Sequence, residues 1–101
     1  MTFPVVPTDP GVTRQVLSHT PEMMIVAFRF ETGAEGRLHD HRHVQATYVE
    51  SGRFVFSLAG KEREVGPGDS LIVPSHVRHG CRCLAAGTLI DTFTPRRDDF
   101  L

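Results

Sequence analysis

Five of the six histidines fall in two short clusters, at positions 39–43 and 76–79. On a β-strand, His39 and His41 would share one face about 6.6 Å apart, which is close enough for both to bind one ion. His43 and Gln45 have the same parity, but a straight strand would spread the set over roughly 20 Å. We therefore predict that the chain bends between His41 and Gln45. Gln45 then returns on the next strand, and His43 sits at the bend.

The second cluster can supply a further ligand. His79 follows a Gly-Pro-Gly-Asp turn at 66–69, a short strand at Ser70–Val73 and Pro74. In an antiparallel barrel, the segment carrying His79 can run beside the strand of the first cluster. We predict one divalent transition metal ion held by four side chains, with one or two positions open to water or substrate: His39, His41, Gln45 and His79. Such nitrogen and oxygen ligands suit nickel, zinc, iron, cobalt or manganese.

Other candidate ligands are less informative. A single histidine is usually a surface or hydrogen-bonded polar residue, and an HxH pattern alone is weak evidence for a metal. His19 is expected to have no role, and His43 and His76 are expected to be surface residues or to support the ligands. Cys81 shares the parity of His79 but is interpreted as a small core residue.

Short segments of period-two hydrophobicity predict the elements that position these side chains. Val26, Phe28 and Phe30 share one strand face, as do Phe54, Phe56 and Leu58. Turns are predicted at 59–61 and 66–69, with strands at 62–65 and 70–73, and residues 84–93 are expected to form a last hairpin around Gly87. No segment has the pattern of a long helix. The sequence predicts an all-β sandwich or barrel.

Length and charge limit the remaining possibilities. The 101 residues fit a single domain spanning 1–101, with 1–20 as a loosely packed arm because of Pro4, Pro7 and Pro10. A formal net charge of −1 and the lack of a long apolar segment argue against nucleic-acid and membrane partners. The first residues do not resemble a secretory signal, and Cys81 and Cys83 are poorly placed for a disulfide, so we expect a cytoplasmic protein.

The two histidine clusters resemble the double motif of the cupin superfamily. The first half runs from Gly33 through 39–45 to Gly52, and the second from Gly68 through Pro74 to His79. The resemblance implies a small jelly-roll β-barrel with the metal inside, usually in a homodimer. Three positions depart from the common pattern: glutamine replaces glutamate at 45, histidine replaces glycine at 76, and cysteine replaces asparagine at 83.

A narrower resemblance links the segments 9–17, 39–52 and 89–101 to the KdgF-type pectin-degradation cupins. These proteins convert cyclic unsaturated uronates into linear 5-keto-4-deoxyuronate, and glutamine belongs to their metal shell. The resemblance implies that Asp91, Phe93 and Arg97 are catalytic. Asp91 would transfer protons, Phe93 would pack against the sugar, and Arg97 would bind the substrate carboxylate.

The residues themselves are compatible with this chemistry. Neutral ligands leave the full charge on a divalent ion, which makes it a strong Lewis acid. Asp91 and Phe93 share a strand face, and burial in an apolar cavity would raise the pKa of the aspartate. Two alternatives stay open: a non-catalytic cupin that binds a metal or metabolite, and a metal-dependent oxygenase or isomerase of the same superfamily.

Overall fold

The computed structural model describes residues 2–101, which form ten β-strands and one turn of 3-10 helix at Asp98–Phe100. The strands are β1 (Val5–Asp9), β2 (Val12–Thr20), β3 (Met23–Phe30), β4 (Glu35–His39), β5 (Val44–Val49), β6 (Arg53–Leu58), β7 (Lys61–Val65), β8 (Ser70–Val73), β9 (His79–Ala85) and β10 (Gly87–Thr94). Over these described residues, no helix combines the length and apolar character that crossing a membrane requires.

The strands form two antiparallel sheets. The six-stranded sheet has the order β1-β2-β3-β10-β5-β8, and the four-stranded sheet has the order β4-β9-β6-β7. The sheets pack face to face without closing into a continuous barrel, and Phe30 meets Phe54 across the gap edge to face, at 5.2 Å between ring centroids. The predicted jelly-roll class is confirmed.

The period-two patterns place the core as predicted. Val26 and Phe30 on β3 and Phe54 and Phe56 on β6 are all buried, while Phe28 is half-buried. The turns at 59–61 and 66–69 and the strand at Ser70–Val73 also lie where the sequence predicts them. Alternation succeeds here because each strand has one face against the core and the other against solvent.

Residues 5–20 differ from the loosely packed arm predicted for 1–20. β2 pairs with β3 from Val12 to Thr20, and β1 pairs with β2. Val12 and Val16 are buried, with exposed fractions of 3% and 5%. The prolines are compatible with this arrangement because β1 is an edge strand, where a missing N–H need not face a neighbour. The segment is thus part of the sheet.

The expected last hairpin is also corrected. β9 belongs to the four-stranded sheet and β10 to the six-stranded sheet, so the chain crosses between sheets at Ala86 instead of turning back on itself. Gly87 packs so tightly against Ser51 that a Cβ would clash with the Ser51 backbone. The crossing sends β10 to the sheet opposite His79, which places Asp91 and Phe93 across the interior from the histidine.

Candidate metal centre and active site

Three of the four predicted ligands converge on one point. His39 ends β4 and lies directly opposite His79, the first residue of β9. His41 follows in the segment between β4 and β5, where the chain bends as predicted. One ring nitrogen from each of these histidines lies within 4.8 Å of the other two. Such a cluster could hold a metal ion.

The bend is held by the loop between β8 and β9. The backbone N–H of His76 donates to the carbonyl of His41 at 2.7 Å, and the Ser75 hydroxyl donates to the carbonyl of Arg42. His76 has a φ of +64°, a conformation that favours glycine. Its side chain is exposed, so His76 acts on the cluster through its backbone.

Hydrogen bonds fix the same tautomer on all three clustered imidazoles. Each Nδ1 lies near a backbone carbonyl two residues away: His39 near Arg37 at 2.7 Å, His41 near His43 at 3.0 Å, and His79 near Val77 at 2.9 Å. A carbonyl can only accept, so each neutral ring carries its proton on Nδ1. The lone pair is then on Nε2, as metal ligation requires. The Nε2 of His79 is buried without a partner among the described residues.

Gln45 faces the cluster with its amide oxygen. Its Nε2 donates to the Thr47 hydroxyl at 2.9 Å and to Asp91 Oδ2 at 3.3 Å, so Oε1 points at His41 Nε2, 3.0 Å away. Two acceptors at this distance repel each other unless a cation lies between them. Three imidazole nitrogens and an amide oxygen are donors that suit a divalent transition metal, so the four-residue set fits one.

Burial keeps two of the imidazoles uncharged. It lowers the pKa of His79 to about 4, although the hydrogen bond that Nδ1 donates to the Val77 carbonyl acts in the opposite direction. It also lowers the pKa of His41, although the Gln45 amide oxygen, which can accept a hydrogen bond from a protonated Nε2, acts in the opposite direction. Both rings are neutral at pH 7, so neither has to lose a proton before binding an ion.

Asp91 lies beside the cluster on the facing strand. It pairs with Thr47 across β10 and β5, and the Thr47 hydroxyl donates to Oδ1 at 2.7 Å. Burial raises the pKa of Asp91 to about 7, although the Thr47 hydrogen bond and the charge of Arg97 lower it. The upward shift predicted from the sequence is present. A carboxyl group with this pKa can both give and take a proton near neutral pH.

One cavity of about 420 Å³ between the two sheets joins the predicted residues. Its lining includes three candidate ligands and all three candidate catalytic residues, namely His39, Gln45, His79, Asp91, Phe93 and Arg97. His41 adjoins it, with its ring 5.6 Å from that of Phe93. Cys81 also lines the cavity, and burial raises the pKa of its thiol to about 12, which keeps it neutral.

Arg97 lines the cavity, but N–H donors of its guanidinium are already hydrogen-bonded to a neighbouring side chain. Nε donates to Asp99 Oδ1 at 3.1 Å and Nη2 donates to Asp99 Oδ2 at 2.9 Å. Its guanidinium carbon also lies 5.2 Å from the ring centre of Phe93 and 4.3 Å from that of Phe100. The resemblance implies that the Arg97 guanidinium binds a substrate carboxylate, whereas in the structure this guanidinium is hydrogen-bonded to the carboxylate of Asp99.

Sequence reasoning assigned no role to two polar residues of this site. Thr47 connects Gln45 to Asp91, and Arg14 lines the cavity from β2. Both could have been found from strand parity, because Thr47 shares the face of Gln45 and Arg14 lies between the buried Val12 and Val16.

The family model described as Cupin domain matches residues 26–91, which is more than half of the chain. The protein belongs to the cupin family. This cupin is 37% identical over 93 residues to the pectin degradation protein KdgF of Dickeya dadantii (strain 3937), a match that covers 90% of the chain and 84% of the relative. The resemblance to KdgF-type cupins predicted from the sequence is confirmed.

Two solved structures also resemble this cupin closely. An RmlC-like cupin from Shewanella frigidimarina has a TM-score of 0.94 and 42% identity, covering 98% of this chain and 89% of its own. The KdgF structure from Halomonas sp. has a TM-score of 0.92 and 38% identity, covering 100% of this chain and 98% of its own.

Proposed function

We propose that this cupin opens the ring of cyclic unsaturated uronates to give linear 5-keto-4-deoxyuronate. A divalent ion would be held by His39, His41, Gln45 and His79. The relatives named KdgF support the substrate class. The observation that carries the proposal is the hydrogen-bonded chain from Gln45 through Thr47 to the buried Asp91, which links a candidate ligand to a carboxyl group of suitable pKa.

The proposed reaction is an isomerisation without a co-reactant. The C1 hydroxyl loses its proton and becomes the aldehyde oxygen while the bond from C1 to the ring oxygen breaks, leaving the electron pair on that oxygen. The C5 enolate so formed takes a proton at C4 and becomes a ketone. One proton leaves and one returns, so a single group near pKa 7 can perform both transfers.

Asp91 is the residue for these transfers. Its carboxylate would take the C1 hydroxyl proton, and the resulting acid would protonate C4. A divalent ion at the four ligands would supply a Lewis acid for a substrate oxygen. Thr47 and Gln45 hold the carboxyl group in one orientation, since each donates a hydrogen bond to it.

Phe93 and Arg97 shape the rest of the site. Phe93 is buried and lines the cavity, so its ring can pack against the sugar and exclude water. The charge of Arg97 acts on Asp91 and lowers its pKa. We propose that this positive charge also favours the enolate-like charge that develops when the ring opens.

The proposal is tested with the unsaturated monouronate released by a pectate lyase. Ring opening and ketonisation remove the conjugated C4=C5 bond, so ultraviolet absorbance falls. Zinc- or nickel-loaded protein should accelerate this loss over the spontaneous reaction, and a chelator or His79→Ala should abolish the acceleration. A rate equal to that of buffer would refute the proposal. Uronate binding without turnover would indicate the non-catalytic alternative, and oxygen uptake would indicate an oxygenase.

A homodimer and a cytoplasmic location complete the proposal. The outward side chains of β5, β8 and β10 carry no charge, and Val44, Tyr48 and Ile72 are exposed together on that face. An uncharged apolar face can meet its own copy without repulsion. Light scattering should give twice the mass of one protomer, and Ile72→Glu should reduce the measured mass to that of one protomer.

The free state of both cysteines supports the proposed cytoplasmic location, because a reducing compartment keeps thiols unpaired.

A further inference from the structure

Arg14 occupies a position where the strand pattern calls for an apolar side chain. It lies on the inner face of β2 between the buried Val12 and Val16, opposite Phe28 of β3. Its side chain borders the main cavity and also a smaller one of about 220 Å³, whose other lining residues are apolar. A charged group on an inner face costs stability unless an anion compensates it.

Three arginines line the main cavity, and two of them are engaged. Arg37 is bonded to Asp9 at 2.9 Å and is largely exposed, while Arg97 is held by both oxygens of Asp99. Within residues 2–101, the Arg14 side chain makes no hydrogen bond and no ion pair. It is therefore the cavity guanidinium whose five N–H donors are available to a ligand.

The surroundings of Arg14 hold it in place without neutralising it. Its guanidinium carbon lies 4.1 Å from the ring centre of Phe100, whose ring Arg97 also approaches. Burial lowers the pKa of Arg14, and the nearby charge of Arg97 acts in the same direction. Asp99 opposes these effects, but its two oxygens are already bonded to Arg97. Aromatic contact orients the fork, and an incoming anion would relieve the repulsion.

We propose that Arg14 is the specificity residue that binds the carboxylate of the acidic substrate. A planar guanidinium can bind a carboxylate through two parallel hydrogen bonds, whereas Arg97 would first have to release Asp99. The assignment of the substrate as an unsaturated uronate rests on the proposed function. The preference for a small carboxylate rests on the cavity and on Arg14.

The test measures binding of D-galacturonate and of its neutral methyl ester to zinc-loaded protein by calorimetry. The unsubstituted protein should bind the acid at least about tenfold more tightly than the ester, since the ester cannot accept the charge-assisted hydrogen bonds of the guanidinium. Arg14→Gln should reduce this ratio of affinities to near one, mainly by weakening the binding of the acid. Arg29→Gln is the matched control, because Arg29 is exposed on the outer face of the neighbouring strand.

Two results would overturn the assignment. One is an unsubstituted protein that binds acid and ester equally. The other is an Arg14→Gln protein that keeps the preference, above all if Arg97→Gln loses it. Thermal unfolding checks each variant, and Arg14→Lys is the second variant. It keeps the charge without the fork and should lower the acid-to-ester ratio about threefold or more.

Kinetics separate this inference from the proposed function. If the protein opens unsaturated uronates, Arg14→Gln should raise KM about tenfold or more and change kcat little, as expected for lost binding of a group that does not react. If no turnover is found, the proposed function fails while the calorimetric comparison still decides the role of Arg14. A large loss of kcat with unchanged KM would contradict a binding role.

Discussion

At the residue scale, Gln45 shows why an amide suits this position. Its oxygen faces His41 while its nitrogen donates to Asp91, so the amide offers an acceptor to one neighbour and a donor to the other. A glutamate would bring a second carboxylate to Asp91, and two adjacent carboxylates cannot both ionise easily. The side chain thus couples the candidate metal ligands to the candidate proton-transfer group.

Asp91→Asn tests the proton-transfer role. Asparagine keeps the shape and removes the titratable group, so kcat for ring opening should fall about 100-fold or more. Since burial raises the pKa of Asp91 from 3.8 to about 7, its ionisation lowers stability by an amount that is full above pH 7 and falls away as the pH drops toward 3.8. The variant should therefore stay within about 1 kcal/mol of the parent in unfolding free energy at pH 8. An unchanged kcat would remove Asp91 from the reaction.

The imidazole pKa values predict how metal binding depends on pH. A histidine ligand with the unperturbed pKa of about 6.5 would take up a proton and release its ion near that pH. Here burial lowers the pKa of His41 and brings that of His79 to about 4, so protons compete for these two ligands only at lower pH. Zinc affinity should therefore fall as the pH is lowered, and the loss should extend to about pH 4, where His79 also takes up a proton. An affinity that stays constant between pH 7 and pH 4, measured by elemental analysis after dialysis, would contradict this.

At the scale of elements, strand parity predicted much of the site. The bend before Gln45 followed from a distance argument, since a straight strand could not bring its amide to His39 and His41. The pairing of His39 with His79 required only an antiparallel neighbour. Arg14 was overlooked although the same alternation applies to β2.

Two elements could not be read from local patterns. The three N-terminal prolines suggested a loose arm, but a proline is harmless on an edge strand, and only the sheet order shows that β1 is one. The crossing at Ala86 likewise depends on which sheet receives β10, and turn residues do not carry this information. Long-range pairing decided both cases.

Val16→Ala tests whether β2 contributes to the core. Val16 is 5% exposed and packs with Met24, Val26 and Phe93, so removing two methyl groups should lower the unfolding free energy by about 1–3 kcal/mol. Val5→Ala is the control, because Val5 is 53% exposed on the edge strand. Denaturant unfolding measures both. Equal, negligible effects would mean that residues 5–20 behave as a loose arm in solution.

At the scale of the whole molecule, the two sheets contribute different parts of the site. The four-stranded sheet carries His39 and His79, while the six-stranded sheet carries Gln45, Asp91 and Phe93. The cavity lies where these faces meet. An ion bound to ligands from both sheets would connect them, so the chemistry and the stability of the fold depend on the same interface.

Metal binding should therefore stabilise the protein. At a free ion concentration of 100 times the Kd, linkage predicts about 2.7 kcal/mol. For a domain of this size, that corresponds to a rise in Tm of about 10–20 °C. Scanning calorimetry with zinc and with a chelator measures the difference, and His79→Ala serves as the control that should show little rise. A zinc-dependent rise that survives this substitution would place the ion elsewhere.

The central claim is that His39, His41, Gln45 and His79 surround one divalent ion. Anomalous diffraction from crystals grown with zinc, collected on both sides of its absorption edge, tests this most directly. The expected map has one strong peak in the cavity, bonded to three Nε2 atoms and to Gln45 Oε1 at about 2.0–2.2 Å. A zinc peak at another position, with these four side chains turned away from any ion, would contradict the account.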